Sequence, residues 1–193
     1  KAVELAGHAT LQAFSEHGYH GTTTRDLAQR SGLSVPGVYH YYPSKQDILF
    51  ELMTVIIDEL LTRSHQALDT AEPDPRAQFD ALVESLLRFH MYRRQSAMVS
   101  TAELRSLEPG YRERYVAKRD EQQRMLDRVI LDGVRAGEFS TPYPADASRS
   151  IGLPTLASAG RNARRAAAVC GSSVASGRPD ASHASAARMP GPP

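Results

Sequence analysis

The stretch TTTRDLAQRSGLSVPGVYHYYPSK, residues 22–45, has the spacing of two short helices joined by a tight turn. In a twenty-residue window that starts at Thr24, Ala28 stands fifth, Gly32 ninth and Val38 fifteenth. A small residue lets two helices cross closely, a glycine adopts the left-handed turn, and a branched apolar residue anchors the second helix. The spacing predicts a helix-turn-helix whose second helix is free to enter a DNA major groove, although such a helix pair also occurs as scaffolding.

Local capping signals mark the helix ends around this motif. Gly18 is placed to end a first helix in a left-handed cap. Thr23 with Asp26 three residues later resembles a capping pair at the start of the second helix. Ser34 is expected to cap the third helix, because Pro36 then falls in its first turn, where a missing N–H has no consequence.

Helical periodicity continues beyond the motif. Ser44 is expected to cap a long core helix over residues 45–68, whose apolar face is too broad for a coiled-coil seam. No alternating strand pattern occurs in the sequence, which predicts an all-α fold. Further helices are expected from Phe79 to Arg94, from Met98 to Leu107, and from Pro109 to Gly137, which would close the last one.

Composition limits the classes of function. The 23 basic and 22 acidic residues give a net charge of +1, so a DNA-binding surface would have to be local. No apolar run long enough to span a membrane and no secretory signal at residues 1–10 is present, so we expect a cytoplasmic protein without a membrane partner. The single Cys170 gives no disulfide or multi-cysteine metal site, and His17 and His20 flank a helix-ending glycine without further ligands. No nucleophile with a positioned base occurs, so neither catalysis nor a cofactor is expected.

Several short motifs together resemble the signature of TetR-family repressors, over nearly all of residues 2–53 without a gap. The resemblance implies an N-terminal three-helix helix-turn-helix domain and a C-terminal helical bundle for ligand binding and dimerisation. The motifs are Gly18-Tyr19, Thr22-Thr23-Thr24-Arg25-Asp26-Leu27-Ala28, Gly32-Leu33-Ser34, Val38-Tyr39-His40-Tyr41-Tyr42 and Pro43-Ser44-Lys45.

The same resemblance implies which residues contact DNA. Hydroxyls, a lysine and a helix N-terminus suit phosphate groups, which fix position without reading sequence. For Arg25, a phosphate and an acidic neighbour are equally favoured partners. The implied backbone contacts are Thr24, Tyr39, Tyr41 and Lys45, and the implied groove contacts are Ser34, Val35, Pro36, Gly37 and His40.

The domain limits follow the composition. The helix-turn-helix domain is expected at residues 1–46 and the effector-binding and dimerisation domain at residues 47–150. Residues 151–193 are rich in Ala, Ser, Gly, Pro and Arg, so this tail is expected to be largely irregular. It does not supply the two long helices through which the family usually dimerises, which leaves the homodimer interface open.

The second half, from Glu103 to Phe139, is similar to TetR-type regulators of fatty-acid and sterol breakdown, several of which sense acyl-CoA thioesters. A different apolar small molecule is the somewhat favoured interpretation, since the arginines of this segment alternate with glutamates as solvated helix faces do. The candidates for the CoA phosphates are Arg105, Arg112, Arg114 and Arg119, and those for the apolar tail are Phe79, Leu86, Phe89 and Met98.

These features favour a homodimeric repressor that binds a pseudo-palindromic double-stranded operator and is released by a small apolar effector. The alternative is a helical protein-interaction module that uses the helix over residues 45–68 as its partner surface.

Overall fold

A computed structural model describes residues 2–152 of the chain, and the side chains of residues 7–151. Within that range every regular element is helical, so the predicted all-α fold is confirmed. The expected irregular tail lies outside the described residues from position 153 onward, and so does Cys170.

Three helices form the N-terminal unit: α1 (Ala2–Gly21), α2 (Thr24–Arg30) and α3 (Val35–Tyr41). The expected break at Gly18 is present as a residue with φ 69° and ψ 171°, but one more helical turn follows it. The side chain of Thr22, which is 1 % exposed, donates to the carbonyl oxygens of Ala13 and Gly18 and holds that turn against the helix.

The C-terminal unit contains α4 (Lys45–Thr70), α5 (Pro75–Tyr92), α6 (Arg94–Ala102), a 3₁₀ turn (Glu103–Ser106), α7 (Pro109–Arg135) and α8 (Pro144–Gly152). The expected helix from Met98 was placed too late, since α6 begins at Arg94, directly after α5. α8 was not predicted from the sequence, and its Ile151, assigned to the irregular tail, is buried in the core.

One apolar core runs through both units along α4, which packs against α1, α5, α6 and α7. Phe79, Leu82, Leu126 and Ile130 are at most 1 % exposed. Each such side chain contributes about 1.5–3 kcal/mol on burial, so the packing around α4 dominates the stability of this half. A domain boundary at residue 46 stays a prediction. Among residues 2–152, no helix combines the length and apolar character that a bilayer crossing requires.

Candidate nucleic-acid interface and ligand cavity

The turn between α2 and α3 is fixed by local hydrogen bonds. The Thr23 hydroxyl accepts from the backbone N–H of Asp26 at 3.1 Å, and the Asp26 carboxylate accepts from the backbone N–H of Thr23 at 2.9 Å. The Thr23 hydroxyl also donates to the Asp26 carboxylate. That bond, followed by the one from the Thr23 backbone N–H, lowers the pKa of Asp26 and keeps the carboxylate ionised. Gly32 has φ 66°, and the Ser34 hydroxyl accepts from the N–H of Gly37 at 3.1 Å. The predicted caps and turn are therefore present.

α3 is anchored by one face and leaves the other free. Val38 is 5 % exposed, whereas Tyr39 and Tyr41 are 49 % and 52 % exposed. The His40 ring meets the Tyr41 ring edge-on at 5.2 Å between centroids. We call the outward surface the recognition face; Val35 is partly buried and packs against the core, and the face brings together eight of the predicted contacts, namely Thr24, Arg25, Ser34, Pro36, Gly37, Tyr39, His40 and Tyr41.

Two hydroxyls on the recognition face lie side by side. The hydroxyl oxygens of Tyr39 and Thr24 are 3.5 Å apart. α2 and α3 thus present two neighbouring hydroxyl groups that are able to donate hydrogen bonds to one phosphate group. The neighbouring Arg25 is exposed and forms no hydrogen bond or ion pair with any residue in the described range. Of its two expected partners, an acidic neighbour is therefore absent there, and phosphate contact stays a prediction.

Lys45 has a structural role that the sequence did not reveal. Its ammonium donates to the carbonyl oxygens of Tyr19 and Thr22, both at 2.9 Å, and lies 4.1 Å from the centre of the Tyr19 ring. Because an ammonium has three N–H donors, one is left for the predicted phosphate. Lys45 therefore ties the start of α4 to the end of α1.

The recognition face is poor in negative charge, although the chain as a whole is nearly neutral. α3 carries no acidic residue, and Asp26 is held in its capping bonds. Glu16 lies 2.8 Å from the Arg30 guanidinium, so that pair neutralises itself beside the face. A phosphate backbone would thus meet hydroxyls, Arg25 and the positive N-terminal ends of α2 and α3, and no carboxylate on α3 would repel it.

A cavity of about 50 Å³ lies between α4, α5, α6 and α7. Leu86 and Phe89 contribute to its apolar wall, as predicted, together with Ile56, Ile57, Leu60 and Ala97. Its polar lining consists of His90, Ser100, Thr101, Tyr115, Arg119 and Gln122.

Of the other predicted effector residues, Arg119 lines this cavity, whereas the rest do not, and Arg114 is exposed and lies over the Phe50 ring. Phe79 is 1 % exposed and packs against Phe139, with ring centroids 5.2 Å apart, because it belongs to the core beneath α7. Met98 is 40 % exposed and lines a separate depression between α1 and α6. Arg105 and Arg112 are exposed and border neither site. No pattern in the sequence identified Gln122 and Ser100 as residues that line the cavity.

Burial within the cavity sets the protonation of its polar groups. Desolvation is the main cause that lowers the pKa of His90, and its ring Nδ1 lies 2.7 Å from the carbonyl oxygen of Leu86. Since that oxygen only accepts, Nδ1 carries the proton and Nε2 is an acceptor in the neutral ring. Burial likewise raises the pKa of Tyr115, which is 2 % exposed, so its hydroxyl stays protonated.

We expect His90 to make stability depend on pH in the weakly acidic range. Because its pKa is lower in the folded than in the unfolded chain, the unfolded chain binds more protons, and stability falls as the pH drops below about 6.5. His90→Phe should flatten urea-unfolding midpoints between about pH 7.5 and 5, whereas His65→Phe makes the same change at an exposed position and should retain the slope. An unchanged slope in His90→Phe would contradict this assignment.

Two residues at the start of α4 make long-range contacts: Gln46 links the N-terminal unit to the segment before α7, and Asp47 bonds to α7 itself. The buried Gln46 amide donates to the Tyr19 hydroxyl at 3.0 Å and to the Ser106 carbonyl at 2.8 Å, and its oxygen accepts from the Glu108 N–H at 3.1 Å. The Asp47 carboxylate accepts from the Tyr111 hydroxyl at 2.5 Å, which is the main cause that lowers its pKa. These contacts, also unforeseen, join both units through one helical turn.

Comparison with known proteins gives two family matches. The profile described as "Bacterial regulatory proteins, tetR family" matches residues 8–52, and the one described as "Tetracyclin repressor-like, C-terminal domain" matches residues 72–153. The HTH-type transcriptional repressor KstR2 of Mycobacterium tuberculosis is 31% identical over 137 residues, which are 69% of this chain and 66% of KstR2. The chain thus spans about two thirds of the length of that relative.

Solved structures share the fold. The TetR family transcriptional regulator PfmR of Thermus thermophilus aligns with a TM-score of 0.73 at 25% identity, covering 85% of this chain and 96% of PfmR. AibR, solved in complex with isovaleryl coenzyme A and operator DNA, aligns with a TM-score of 0.71 at 16% identity, covering 78% and 82% of the two chains.

Proposed function

Because the chain belongs to the TetR family of bacterial regulatory proteins, we propose that it is a sequence-specific DNA-binding transcriptional repressor. The family consists of regulators, which confirms the expectation that the chain is not an enzyme. Such a protein acts on the chromosome and therefore in the bacterial cytoplasm.

The recognition face is the observation that carries this proposal. Its hydroxyls, the acid-free α3 and Arg25, which has no ion pair among the described residues, are held on a capped turn. Preorganised donors of this kind bind phosphate without losing much conformational entropy on docking. Val35 and Pro36 offer apolar contact only, so hydrogen-bond readout of bases rests mainly on Ser34 and His40.

A homodimer would present two recognition helices to one operator. Such helices read half-sites about 34–36 Å apart, or a multiple of that, which makes the operator a pseudo-palindrome. A small apolar effector in the cavity then releases the DNA by favouring a dimer with the wrong spacing. AibR, which shares the fold, is a precedent for a CoA thioester as effector, and Arg105 and Arg112 stay the predicted contacts for its phosphates.

The alternative of a protein-interaction module has weaker support. Within α4, which the structure describes in full, Val55 is the one large apolar side chain that is exposed. The apolar face that would bind a partner is therefore already occupied by the protein's own core.

Fluorescence anisotropy of the purified chain against duplexes tiling the DNA beside its own gene tests the function. We expect one tile to bind about a thousandfold more tightly than unrelated duplex, and to weaken steeply as salt rises. Equal binding of every duplex would contradict sequence specificity. Binding that does not respond to salt would instead favour apolar protein contact.

Two variants of the recognition face should differ in their salt response. Arg25→Gln removes one charged phosphate contact per subunit and should reduce the slope of log K against log salt by about two per dimer. Tyr39→Phe removes a neutral donor, so we expect about tenfold weaker binding with the slope unchanged. Tyr143→Phe, at a tyrosine that is 69 % exposed on the C-terminal unit, is the control and should match the wild type. Identical slopes for all proteins would remove Arg25 from the interface.

A further inference from the structure

We propose that the effector is an apolar carboxylic acid whose carboxylate lies against Arg119 and Gln122 in the cavity between α4, α5, α6 and α7. The inference rests on the proposed function for its regulatory meaning, but the binding site itself is argued from the residues that line the cavity.

Gln122 points to a ligand because its amide lacks a partner. The residue is 6 % exposed, and its Nε2 has no hydrogen-bond acceptor within the described part of the chain. A buried donor without an acceptor is costly, and native proteins rarely retain one without a purpose. Gln122 lines the cavity, so an acceptor on a bound molecule would complete its hydrogen bonding.

Arg119 supplies the charge that such an acceptor should complement. It precedes Gln122 by three residues on α7, and residues at this spacing share a helix face. Its guanidinium lines the cavity, forms no ion pair with any described residue, and has no Asp or Glu beside it in the lining. Asp120 follows Arg119 in sequence but is exposed and forms no ion pair with it, Asp58 pairs with Lys118 at 2.6 Å, and Glu121 lies 3.5 Å from His65.

The two donors together select a carboxylate. A guanidinium binds a carboxylate with two parallel hydrogen bonds, whereas an alcohol or an ester carbonyl offers one oxygen in that geometry. Each carboxylate oxygen accepts more than one hydrogen bond, so one of them also accepts from Gln122. Tyr115 and His90 close the polar end of the cavity, and both are neutral, so Arg119 is its one charged group.

The apolar wall accommodates the rest of the molecule. Leu60, Leu86 and Phe89 face the same space as the polar end. A cavity of about 50 Å³ holds a head group but not a whole apolar acid, so the tail has to displace side chains at the contact between α4 and α5. The first turn of α4 bonds to the end of α1. A shift of α4 is therefore passed to the N-terminal unit that carries the recognition face.

Isothermal titration calorimetry with three probes of equal chain length tests the head group. We expect decanoate to bind at least about tenfold more tightly than decan-1-ol or methyl decanoate. Arg119→Met and Gln122→Leu should each weaken decanoate binding by about tenfold or more, whereas Arg124→Met, at an exposed arginine on the same helix, should leave it unchanged.

A thermal melt of the ligand-free proteins separates a binding role from a structural one. If Gln122 is kept for a ligand, Gln122→Leu should raise the melting temperature by about 2 °C or more while decanoate affinity falls. A lower melting temperature together with unchanged affinity would overturn the inference. So would equal binding of decanoate and decan-1-ol, or no binding of any probe.

Operator anisotropy on the same samples distinguishes the two proposals. Specific operator binding that decanoate does not relieve would overturn this inference and leave the proposed function standing. Decanoate binding with no preferred duplex would overturn the proposed function and leave the site.

Discussion

Pro36→Glu is expected to abolish specific operator binding while leaving the fold intact. Pro36 is exposed in the first turn of α3, in the middle of the recognition face. A carboxylate there would lie among DNA phosphates with no lysine or arginine on α3 to neutralise it. Like charges at an interface cost several kcal/mol, and a dimer carries the change twice, so we expect operator affinity to fall by about a hundredfold or more.

The folded state should not suffer from the same change. A negative charge in the first turn interacts favourably with the helix dipole, by about 0.3–1 kcal/mol at an exposed position. Urea unfolding should therefore give a midpoint equal to or above that of the wild type. Loss of DNA binding and retention of stability together exclude simple misfolding as the cause.

Pro109→Glu is the matched control for this experiment. Pro109 is also exposed and opens α7, far from the recognition face in sequence, so the substitution makes the same charge change at another helix start. We expect wild-type operator affinity from it in fluorescence anisotropy. Full operator affinity in Pro36→Glu would remove α3 from the DNA interface and with it the proposed mode of recognition.

The parts of the fold that the sequence predicted are those governed by neighbouring residues. The capping bonds of Thr23 with Asp26 and of Ser34 with Gly37 join residues three apart, so the residue types alone specify them. The left-handed turn at Gly32 is equally local, because glycine adopts positive φ without a steric penalty. Hence the caps and the turn that shape the recognition face were predicted from the sequence, while its DNA contacts stay a prediction.

The cavity and the contacts of α4 could not be predicted because they depend on long-range packing. Gln46 meets Ser106 and Glu108 across 60 and 62 positions of sequence, and no periodicity encodes that approach. Arg112 and Arg119 are seven residues apart and share one face of α7, yet Arg119 lines the cavity and Arg112 is exposed. The points at which the other helices cross α7 determine which of the two arginines lines the cavity.

The turn after α7 shows one further long-range effect that is open to a sharp test. Gly137 has φ 77°, and the Gly133 carbonyl accepts from the N–H groups of Glu138 and Phe139 at 2.9 and 3.1 Å. This turn folds the Phe139 ring back over Gly133 and against Phe79. A Cβ added at Gly133 would overlap Cδ2 of the Phe139 ring, closer than real atoms approach.

Gly133→Ala is therefore expected to destabilise the protein by about 1–3 kcal/mol or more, because the Phe139 ring must leave its place in the core. The sign is unusual, since Gly→Ala inside a helix normally stabilises by about 0.8–1.0 kcal/mol. Gly110→Ala makes the same change in the same helix where nothing lies within 4 Å, so it should be neutral or stabilising in urea unfolding.

A double-mutant cycle identifies the ring as the cause. In a Phe139→Ala background no ring opposes a side chain at position 133, so Gly133→Ala should no longer lower the free energy of unfolding. The cycle should then give a coupling energy of about 1 kcal/mol or more. Strictly additive losses would mean that the helix backbone at Gly133, and not the Phe139 ring, rejects the side chain. The packing of Phe139 on Phe79 would then have to be explained without the close approach at Gly133.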